Sequence, residues 1–356
     1  MSIIHNFSAG PSVLPWPVRE RVAEAFGLDA AHTPSIVEVS HRGARFAEVA
    51  ERLEAGIRRL TGVGEEHAVL LLQGGAHLQF AMLPMNLARG RSAAFMLTGH
   101  WSEKAFTESA RIVESRVVAS AADGGYRDIP ELGHLPPDCA YLHYTGNETI
   151  HGVQFQAPPA CGVPLAADLS SEFLSRPYPY ADLGLAYAGA QKNLGVAGLT
   201  VVLVRRDLLA RVPEDLPQYL DYRAWDASGS MKNTPCTFAW FVAAEVIDWI
   251  DSVGGLQAIE ARNRERADRL YAAIDRSGFY RNRVDPDARS VMNVPFSLAD
   301  EALTARFVAA ADAAGMPGLK GHRAVGGLRA SLYNALDDRA VDALVELMQE
   351  FERSHG

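Results

Sequence analysis

The residue that most clearly offers chemistry is Lys192, the one cation in the apolar stretch 183–204. Two strand-like runs flank a turn of small residues, which contains Gly189, Gly195 and Gly198. We expect these glycines to bring the backbone close and to leave room beside the lysine. An apolar pocket disfavours the charged ammonium and lowers the pKa of a lysine, which makes the amine nucleophilic toward carbonyl groups.

A second candidate, Asp168, lies upstream in another apolar run, VPLAADLSS. Taken singly, each residue is better explained as ordinary structure, a surface lysine and a helix-capping aspartate. Together, each at the end of a strand, they favour another interpretation. A lysine that forms an imine and a buried aspartate that holds a pyridinium proton are the two groups that pyridoxal phosphate needs.

A phosphate group could bind at the turn Gly74-Gly75-Ala76, which stands between a predicted strand and a predicted helix. Free backbone N–H groups and a helix N-terminus point toward one spot there, although an ordinary tight turn explains the pattern equally well. Nucleotide-binding fingerprints of the GxxxxGK[ST] and GxGxxG types are absent. Trp101 follows the next strand, where an indole could stack on a pyridine ring or simply belong to the core.

Basic residues cluster in two short segments. SHRG contains His41 and Arg42, and LKGHRAVGGLRASLYNA contains Lys320, His322, Arg323 and Arg329. Arg329 lies in an apolar strand-like run, so it needs an anionic partner. The guanidinium fork matches a carboxylate, which favours the α-carboxylate of an amino acid over an internal salt bridge. For His41, Arg42, His322 and Arg323 the two explanations stay equal.

The composition excludes several classes of function. Among 356 residues, 34 basic and 43 acidic side chains give a net charge of −9, which argues against nucleic acid and anionic membranes as partners. The three cysteines lie far apart, with neither metal-binding spacing nor a disulfide framework, so we expect no metal and a cytoplasmic location. The N-terminus does not have the pattern of a signal peptide. Glu245 and Asp248 interrupt the most apolar helical window, so we expect no membrane span.

Buried strand-like runs alternate with helix-length segments over the first two thirds of the chain, which predicts an α/β fold with a mostly parallel sheet covered on both faces. Beyond about Pro235, two long helices precede a shorter α+β pattern. We therefore predict a large domain over 16–258. The smaller domain should comprise 259–356 together with the N-terminal arm 1–15, and the boundary should lie within the long helix.

The residues discussed above stand in segments that resemble the phosphoserine aminotransferases from end to end. The similar segments are NFSAGPSVLP, SHRG, QGGAHLQF, GHW, NETIHGVQF, ADLSS, YAGAQKNLGVAGL, GSMKNTPCTFAW, MNVPF and GHRAVGGLRASLYNA. The lysine motif and the C-terminal GHR, GGLRAS and YNA are specific to that family. The resemblance implies the aspartate-aminotransferase-like fold type I, in which a large domain with a mixed, mostly parallel sheet carries a smaller C-terminal α+β domain. It also implies pyridoxal 5′-phosphate and a homodimer.

The resemblance also implies roles for individual residues. Lys192 would hold the cofactor as an imine and then move a proton between the substrate and the cofactor. The cofactor would be bound by Gly75, Ala76, Trp101, Thr149, Asp168, Gln191, Lys192, Asn233 and Thr234, the last two from the partner subunit. The substrates would be bound by His41, Arg42, His322, Arg323 and Arg329, some of them also from the partner. Arg329 would take the α-carboxylate, and the others would line the pocket for the substrate phosphate or the glutamate side chain.

Two positions depart from the family pattern. Val196 replaces a proline that many members carry, which should affect the rigidity of the turn more than the chemistry. Some members have an arginine at the position of Ala76, so other groups must recognise the phosphate here, with His77 as a neighbouring candidate.

The reaction implied is reversible amino transfer from L-glutamate to 3-phosphohydroxypyruvate with ping-pong kinetics, which gives O-phospho-L-serine for serine biosynthesis. The related 4-phosphohydroxythreonine step of vitamin B6 biosynthesis stays open. A cysteine desulfurase would need a reactive cysteine beyond Lys192 on a distant loop, but Cys236 is the last one. An alanine–glyoxylate-type aminotransferase needs no paired His-Arg groups, and a non-catalytic phosphate-binding protein needs neither Lys192 nor Asp168.

Overall fold

The computed structural model describes residues 4–27 and 34–356, and within these ranges it has ten strands and ten α-helices. The strands are β1 His67–Leu72, β2 Ser92–Leu97, β3 Ser115–Ser120, β4 Cys139–Thr145, β5 Leu165–Asp168, β6 Leu185–Gly189, β7 Thr200–Arg205, β8 Tyr280–Arg281, β9 Asn293–Leu298 and β10 Leu328–Ser331. The helices are α1 Trp16–Ala25, α2 Ala44–Thr61, α3 Gly75–Leu87, α4 His100–Ser109, α5 Arg206–Leu209, α6 Tyr222–Ala227, α7 Thr237–Ser252, α8 Gly255–Arg276, α9 Thr304–Ala313 and α10 Asp338–His355.

The larger sheet has seven strands in the order β1-β7-β6-β5-β4-β2-β3. Strands β6, β5, β4, β2 and β3 run parallel, whereas β7 is antiparallel to both of its neighbours. Along β1, Val69 and Leu71 join one apolar core while Leu70 joins the other. Helices therefore cover both faces of the sheet, which explains why its strands read as unbroken apolar runs. The predicted mixed, mostly parallel sheet is confirmed.

Parallel strands bring their carboxyl ends to one edge of a sheet. Asp168 ends β5, Lys192 follows β6, Thr149 follows β4 and Trp101 follows β2. Residues that are far apart in the sequence therefore gather at the same edge.

A second, smaller unit packs three antiparallel strands, in the order β10-β9-β8, with helices α8, α9 and α10. Helix α8 serves both units, since Ile259 belongs to a core of the large sheet and Leu270 to the core of the small one. The N-terminal arm joins the small unit, where Phe7 is fully buried and its N–H donates to the carbonyl of Pro317 at 2.9 Å. This packing supports the domain limits predicted from the sequence, which remain a prediction.

Short elements escape the sequence pattern. Helix α6 spans only six residues, too few for a helical period to emerge, and its N-cap is Asp221, whose carboxylate accepts the N–H of Arg223 at 2.8 Å. Within the described residues, no helix combines the length and the apolar character that crossing a bilayer requires.

Candidate active site

A cavity of about 280 Å³ lies at the carboxyl edge of the parallel strands. Its lining includes many of the residues predicted from the sequence, namely Gly75, Ala76, Trp101, Thr149, Asp168, Gln191, Lys192, His322 and Arg329. Strand ends, the first turns of α3 and α4, the N-terminal arm and the small unit all contribute to it. Such a concave site with a few convergent polar groups is typical of a small-molecule pocket.

Lys192 lies at the turn after β6 and lines the cavity. Burial lowers the pKa of its amine to about 8, although the negative charge of Asp168 opposes the shift, and the positive charge of Arg329 adds to it. The residues described provide no hydrogen bond or salt bridge to this amine. The lysine is therefore a partly deprotonated, accessible nucleophile near neutral pH.

The glycine that packs on this lysine is Gly10 in the N-terminal arm. A Cβ atom there would lie 3.5 Å from Cγ of Lys192, and φ at this residue is +134°. The glycines of the lysine turn make their close approaches to groups other than the lysine. Gly195 and Gly198 pack against α7 and its N-terminal cysteine, and Gly189 lies against the neighbouring glutamine.

Asp168 is buried at the end of β5, with 6% of its surface exposed. Burial raises the pKa of its carboxyl group, and the positive charge of Lys192 and hydrogen bonds from Ser170 oppose that shift. One of these bonds runs from the backbone N–H of Ser170 to Oδ1 at 2.9 Å. The carboxylate thus stands at the pocket wall, where burial favours a cationic partner.

Trp101 lies in the first turn of α4, and its indole N–H donates to the hydroxyl oxygen of Thr149 at 2.8 Å. Because this oxygen accepts the indole proton, the hydroxyl proton of Thr149 is free to donate into the cavity. The backbone of α4 is fixed by Glu148, which is fully buried and accepts the N–H groups of Trp101 at 3.0 Å and Ser102 at 2.8 Å. These contacts orient the indole.

Gly75 and Ala76 open α3 and line the cavity. The backbone reaches this turn through Gly74 and Gly75, with φ of +96° and +67°, values that favour glycine. The first N–H groups of a helix have no partner within the helix, so this end of α3 can bind an anion. His77 adds an aromatic edge against Trp101, at 5.5 Å between ring centroids.

Arg329 reaches the cavity from β10 of the small unit. One guanidinium N–H donates to the carbonyl oxygen of Thr149 at 3.1 Å, while its Nε is buried and has no partner among the described residues. No described carboxylate lies within salt-bridge distance of it, so the alternative of an internal salt bridge is wrong for this part of the chain. The fork remains open to an anionic ligand.

His322 lines the same cavity, and its ring lies 5.6 Å from that of His100. Burial lowers the pKa of His322, and the charges of Arg329, His100 and Arg323 add to the effect. An anion bound nearby would reverse these repulsions.

Five predicted residues do not line the cavity formed by this single chain, namely His41, Arg42, Asn233, Thr234 and Arg323. Arg42 is exposed ahead of α2, and Arg323 is exposed beside His322. The carbonyl oxygen of Thr234 accepts a hydrogen bond from Gln73 at 3.0 Å. The roles of all five stay predictions.

Sequence reasoning gave no role to Gly10 or Glu148, nor to Asn147 and Ser170, which also line the cavity. Gly10 and Glu148 lie in segments that resemble the phosphoserine aminotransferases, and this resemblance was the signal that could have identified them. Their spatial neighbours are remote in the sequence, so no local pattern states their function.

Among the described residues, no group of three or more His, Cys, Asp or Glu side chains is arranged to hold a metal ion. The donor set fits pyridoxal phosphate instead. It offers an unpaired amine, a buried carboxylate, the free amides of a helix N-terminus and a guanidinium that has no described carboxylate partner.

The comparison with known proteins identifies the class to which this fold and site belong. A family model for class-V aminotransferases matches residues 4–344, nearly the whole chain. The chain therefore belongs to the class-V aminotransferases.

More narrowly, it is similar to phosphoserine aminotransferases. That of Laribacter hongkongensis is 48% identical over 99% of each chain. The structure of phosphoserine aminotransferase from Bacillus circulans subsp. alkalophilus shares 46% identity and a TM-score of 0.96 over 99% of both chains. A PLP-bound phosphoserine aminotransferase from Trichomonas vaginalis shares 39% identity and a TM-score of 0.92, over 98% of this chain and 100% of the other.

Proposed function

We propose that the protein transfers the amino group of L-glutamate reversibly to 3-phosphohydroxypyruvate, which yields O-phospho-L-serine and 2-oxoglutarate. The observation that carries the proposal is the Lys192 amine with a pKa of about 8, which shares one cavity with buried Asp168 and with Arg329, whose Nε has no described partner. Similarity to phosphoserine aminotransferases over the whole length supports the choice of substrates.

The cofactor is pyridoxal phosphate. Lys192 would hold its aldehyde carbon, Asp168 its ring nitrogen, Thr149 its phenolic oxygen and the amides of Gly75 and Ala76 its phosphate. When bound, the cofactor supplies an electron sink for the negative charge that develops at the substrate Cα.

Asp168 supports this chemistry because a carboxylate beside the ring nitrogen favours its protonated form. Nζ of Lys192, deprotonated above about pH 8, is the group that takes the proton from the substrate Cα and later returns it. The side chain is anchored by a turn at the sheet edge, so the amine stays within reach.

The substrates are recognised by their anionic groups. Both carry an α-carboxylate, which Arg329 would bind with its planar fork. His322 and Arg323, together with His41 and Arg42, would bind the phosphate of the keto acid or the side-chain carboxylate of glutamate. A local cluster of cations is needed because the chain as a whole carries a net negative charge.

We further propose a cytoplasmic homodimer in which some of these groups cross between subunits. His41, Arg42, Asn233 and Thr234 do not line the cavity of their own chain. Exposed Trp16, with 64% of its surface accessible, adds apolar area that a partner would cover.

A coupled assay tests the activity. We expect glutamate and 3-phosphohydroxypyruvate to yield phosphoserine and 2-oxoglutarate, with weak turnover of unphosphorylated hydroxypyruvate and of glyoxylate. The keto acid that corresponds to 4-phosphohydroxythreonine is assayed in parallel. Preference for an unphosphorylated keto acid would overturn the substrate assignment. A purified protein that acquires no cofactor absorbance would overturn the proposal that it is a pyridoxal-phosphate enzyme.

A further inference from the structure

Two polar side chains, Tyr187 and His143, lie on the sheet behind Asp168. Tyr187 in β6 is the register partner of Asp168 in β5, so both side chains project from the same face of the sheet. The phenol oxygen of Tyr187 is 2.9 Å from Nε2 of His143 in β4. Three neighbouring strands thus place a carboxylate, a phenol and an imidazole in a row.

All three side chains are almost entirely buried. Tyr187 and His143 are each 1% exposed, and Asp168 is 6% exposed. Burial, followed by the negative charge of Asp168, raises the pKa of Tyr187 well above its ordinary value. Burial lowers the pKa of His143 to about 3. The phenol and the imidazole therefore stay neutral at neutral pH, and only the carboxylate carries charge.

The direction of the hydrogen bond between Tyr187 and His143 follows from the ring nitrogen of His143 that has no described partner. Nδ1 of His143 is buried and has no partner among the described residues. A neutral imidazole carries one proton, and placing it on Nε2 gives that proton an acceptor in the phenol oxygen of Tyr187. The hydroxyl proton of Tyr187 is then free to point at Asp168, where donation to an anion makes the stronger bond.

We propose that Tyr187 and His143 form a positioning pair that keeps Asp168 ionised and directed at the nitrogen of a bound pyridine ring. This inference rests on the proposed function, since it takes pyridoxal phosphate as the ligand. The pair stabilises the Asp168 anion in a way that Lys192 cannot at every pH. Lys192 supplies a stabilising charge only while it is protonated, whereas the phenol dipole of Tyr187 acts at any pH at which the enzyme works.

The other groups that face Asp168 are few. Lys192 and His77 oppose the rise in its pKa, and Glu148 is close enough for the two carboxylates to repel each other. Within the described residues, none of these three groups is hydrogen-bonded to the side chain of Tyr187 or His143, so the pair can be altered alone.

The test compares two ligands, pyridoxal phosphate and its 1-deaza analogue, in which CH replaces the ring nitrogen. Holoenzyme reconstituted with each ligand gives an apparent Kd by absorbance. We expect Tyr187→Phe to raise Kd for pyridoxal phosphate by roughly tenfold to a hundredfold, the effect of losing one charge-assisted hydrogen bond. The analogue should bind no more weakly than to the wild type, because it offers nothing for an ionised Asp168 to hold.

Tyr222→Phe is the matched control. Tyr222 is equally buried, but its hydroxyl donates to Gln79 at 2.6 Å. We expect this variant to bind both ligands as the wild type does.

His143→Phe tests the second member of the pair and also replaces Tyr187→Phe if that variant does not fold. The new ring keeps an aromatic partner for Phe95, whose ring lies 5.1 Å from that of His143, but removes the N–H. We expect a severalfold weaker affinity for pyridoxal phosphate alone, and no further loss when it is combined with Tyr187→Phe, because His143 acts through the phenol.

Equal weakening of both ligands would show a merely structural role and overturn the inference, as would unchanged affinity for pyridoxal phosphate. A wild type that binds no pyridoxal phosphate would overturn the proposed function and this inference with it. If the wild type and the variants all bind pyridoxal phosphate with the same affinity, the inference alone is overturned.

Discussion

At the scale of single residues, one apolar environment acts on two ionisable groups in opposite directions. Burial lowers the pKa of Lys192 and raises that of Asp168, and the charge of each opposes the shift of the other. The amine therefore gains a neutral fraction near neutral pH. The carboxylate is held as an anion by hydrogen bonds that do not depend on the lysine, such as the N–H of Ser170. The two proposed roles, nucleophile for Lys192 and anchor for a pyridinium for Asp168, need this division.

The rate at which Lys192 bonds to pyridoxal phosphate should rise with pH and level off above about 8. The neutral amine is the nucleophile, and its pKa is lowered to about 8. Stopped-flow absorbance gives the rate across the pH range, and borohydride reduction with peptide mapping identifies the modified residue. The chain has only three other lysines, Lys104, Lys232 and Lys320, and an adduct on any of these would contradict the assignment.

Arg329→Leu should raise KM for both substrates by roughly tenfold to a hundredfold, because both carry the α-carboxylate that we propose the guanidinium binds. Arg329→Lys should recover part of the loss, since a lysine keeps the charge but not the fork. Steady-state kinetics with each substrate varied in turn supplies the values.

Arg323→Ala offers the contrast. The KM of this variant for the phosphorylated keto acid should rise, and its inhibition by inorganic phosphate should weaken. Selective loss of glutamate affinity in Arg329→Leu, with the keto acid unaffected, would argue against carboxylate binding by Arg329.

Lys192 and Asp168 could be predicted because each stands in a compact sequence motif at a strand end, where one lysine or one aspartate interrupts apolar residues. Gly10 and Tyr187 could not be given a role, because each gains its function from a partner brought near only by the fold. Gly10 meets Lys192 through the N-terminal arm, and Tyr187 meets Asp168 through strand register.

At the scale of elements, the first turn of α4 is held in place beside the cavity by the buried carboxylate of Glu148. Glu148 accepts two backbone N–H groups from the first turn of α4 and thereby fixes the helix that carries Trp101. Anions are favourable at a helix N-terminus, but this one has no contact with solvent. Burial raises the pKa of Glu148 to about 7, against the opposing effect of the two N–H donors.

Glu148 should make stability depend on pH. Its pKa of about 7 in the folded chain exceeds the ordinary value of 4.5, so between these values the folded chain holds a proton that the unfolded chain has released. The contribution of this residue is therefore complete below about 4.5 and is lost as the pH rises through about 7.

Glu148→Gln removes the titration while it retains one hydrogen-bond acceptor. The free energy of unfolding of the wild type minus that of the variant, measured by urea unfolding, should fall across this pH range and then become constant. A difference that stays the same at every pH would contradict the shifted pKa.

The long strands and helices follow from the sequence better than the short elements do. Long apolar strands and the amphipathic helix α10 have the periodicity of their structure, so their type can be read from the sequence. The two-residue strand β8 is too short to carry any period, and its pairing with β9 depends on tertiary packing.

At the scale of the whole molecule, the cavity is built by both units and the arm that connects them. Helix α8 contributes to both cores, Arg329 enters from the small unit, and Gly10 closes over the lysine from the N-terminal arm. A change in the relative position of the units would move Arg329 relative to Lys192. The arrangement can therefore couple binding of a substrate carboxylate to the geometry around the amine.

The predicted roles of Asn233 and Thr234 depend on the assembly, because both lie outside the cavity of their own chain. Mixing two inactive subunits tests whether they serve the neighbouring site. One subunit carries Lys192→Ala, and the other carries Asn233→Ala with Thr234→Ala. In a two-fold dimer with random pairing, half of the dimers are mixed and each has one intact site, so about a quarter of wild-type activity should return.

Each subunit refolded alone is the control and should remain inactive, and native mass spectrometry confirms that mixed dimers have formed. If Asn233 and Thr234 acted within their own subunit, every site with a working lysine would lack them and no activity would return. Absence of recovery despite mixed dimers would therefore place the phosphate contacts within one chain. Recovery near a quarter would show that a complete site needs two copies, because no contact within one subunit could restore it.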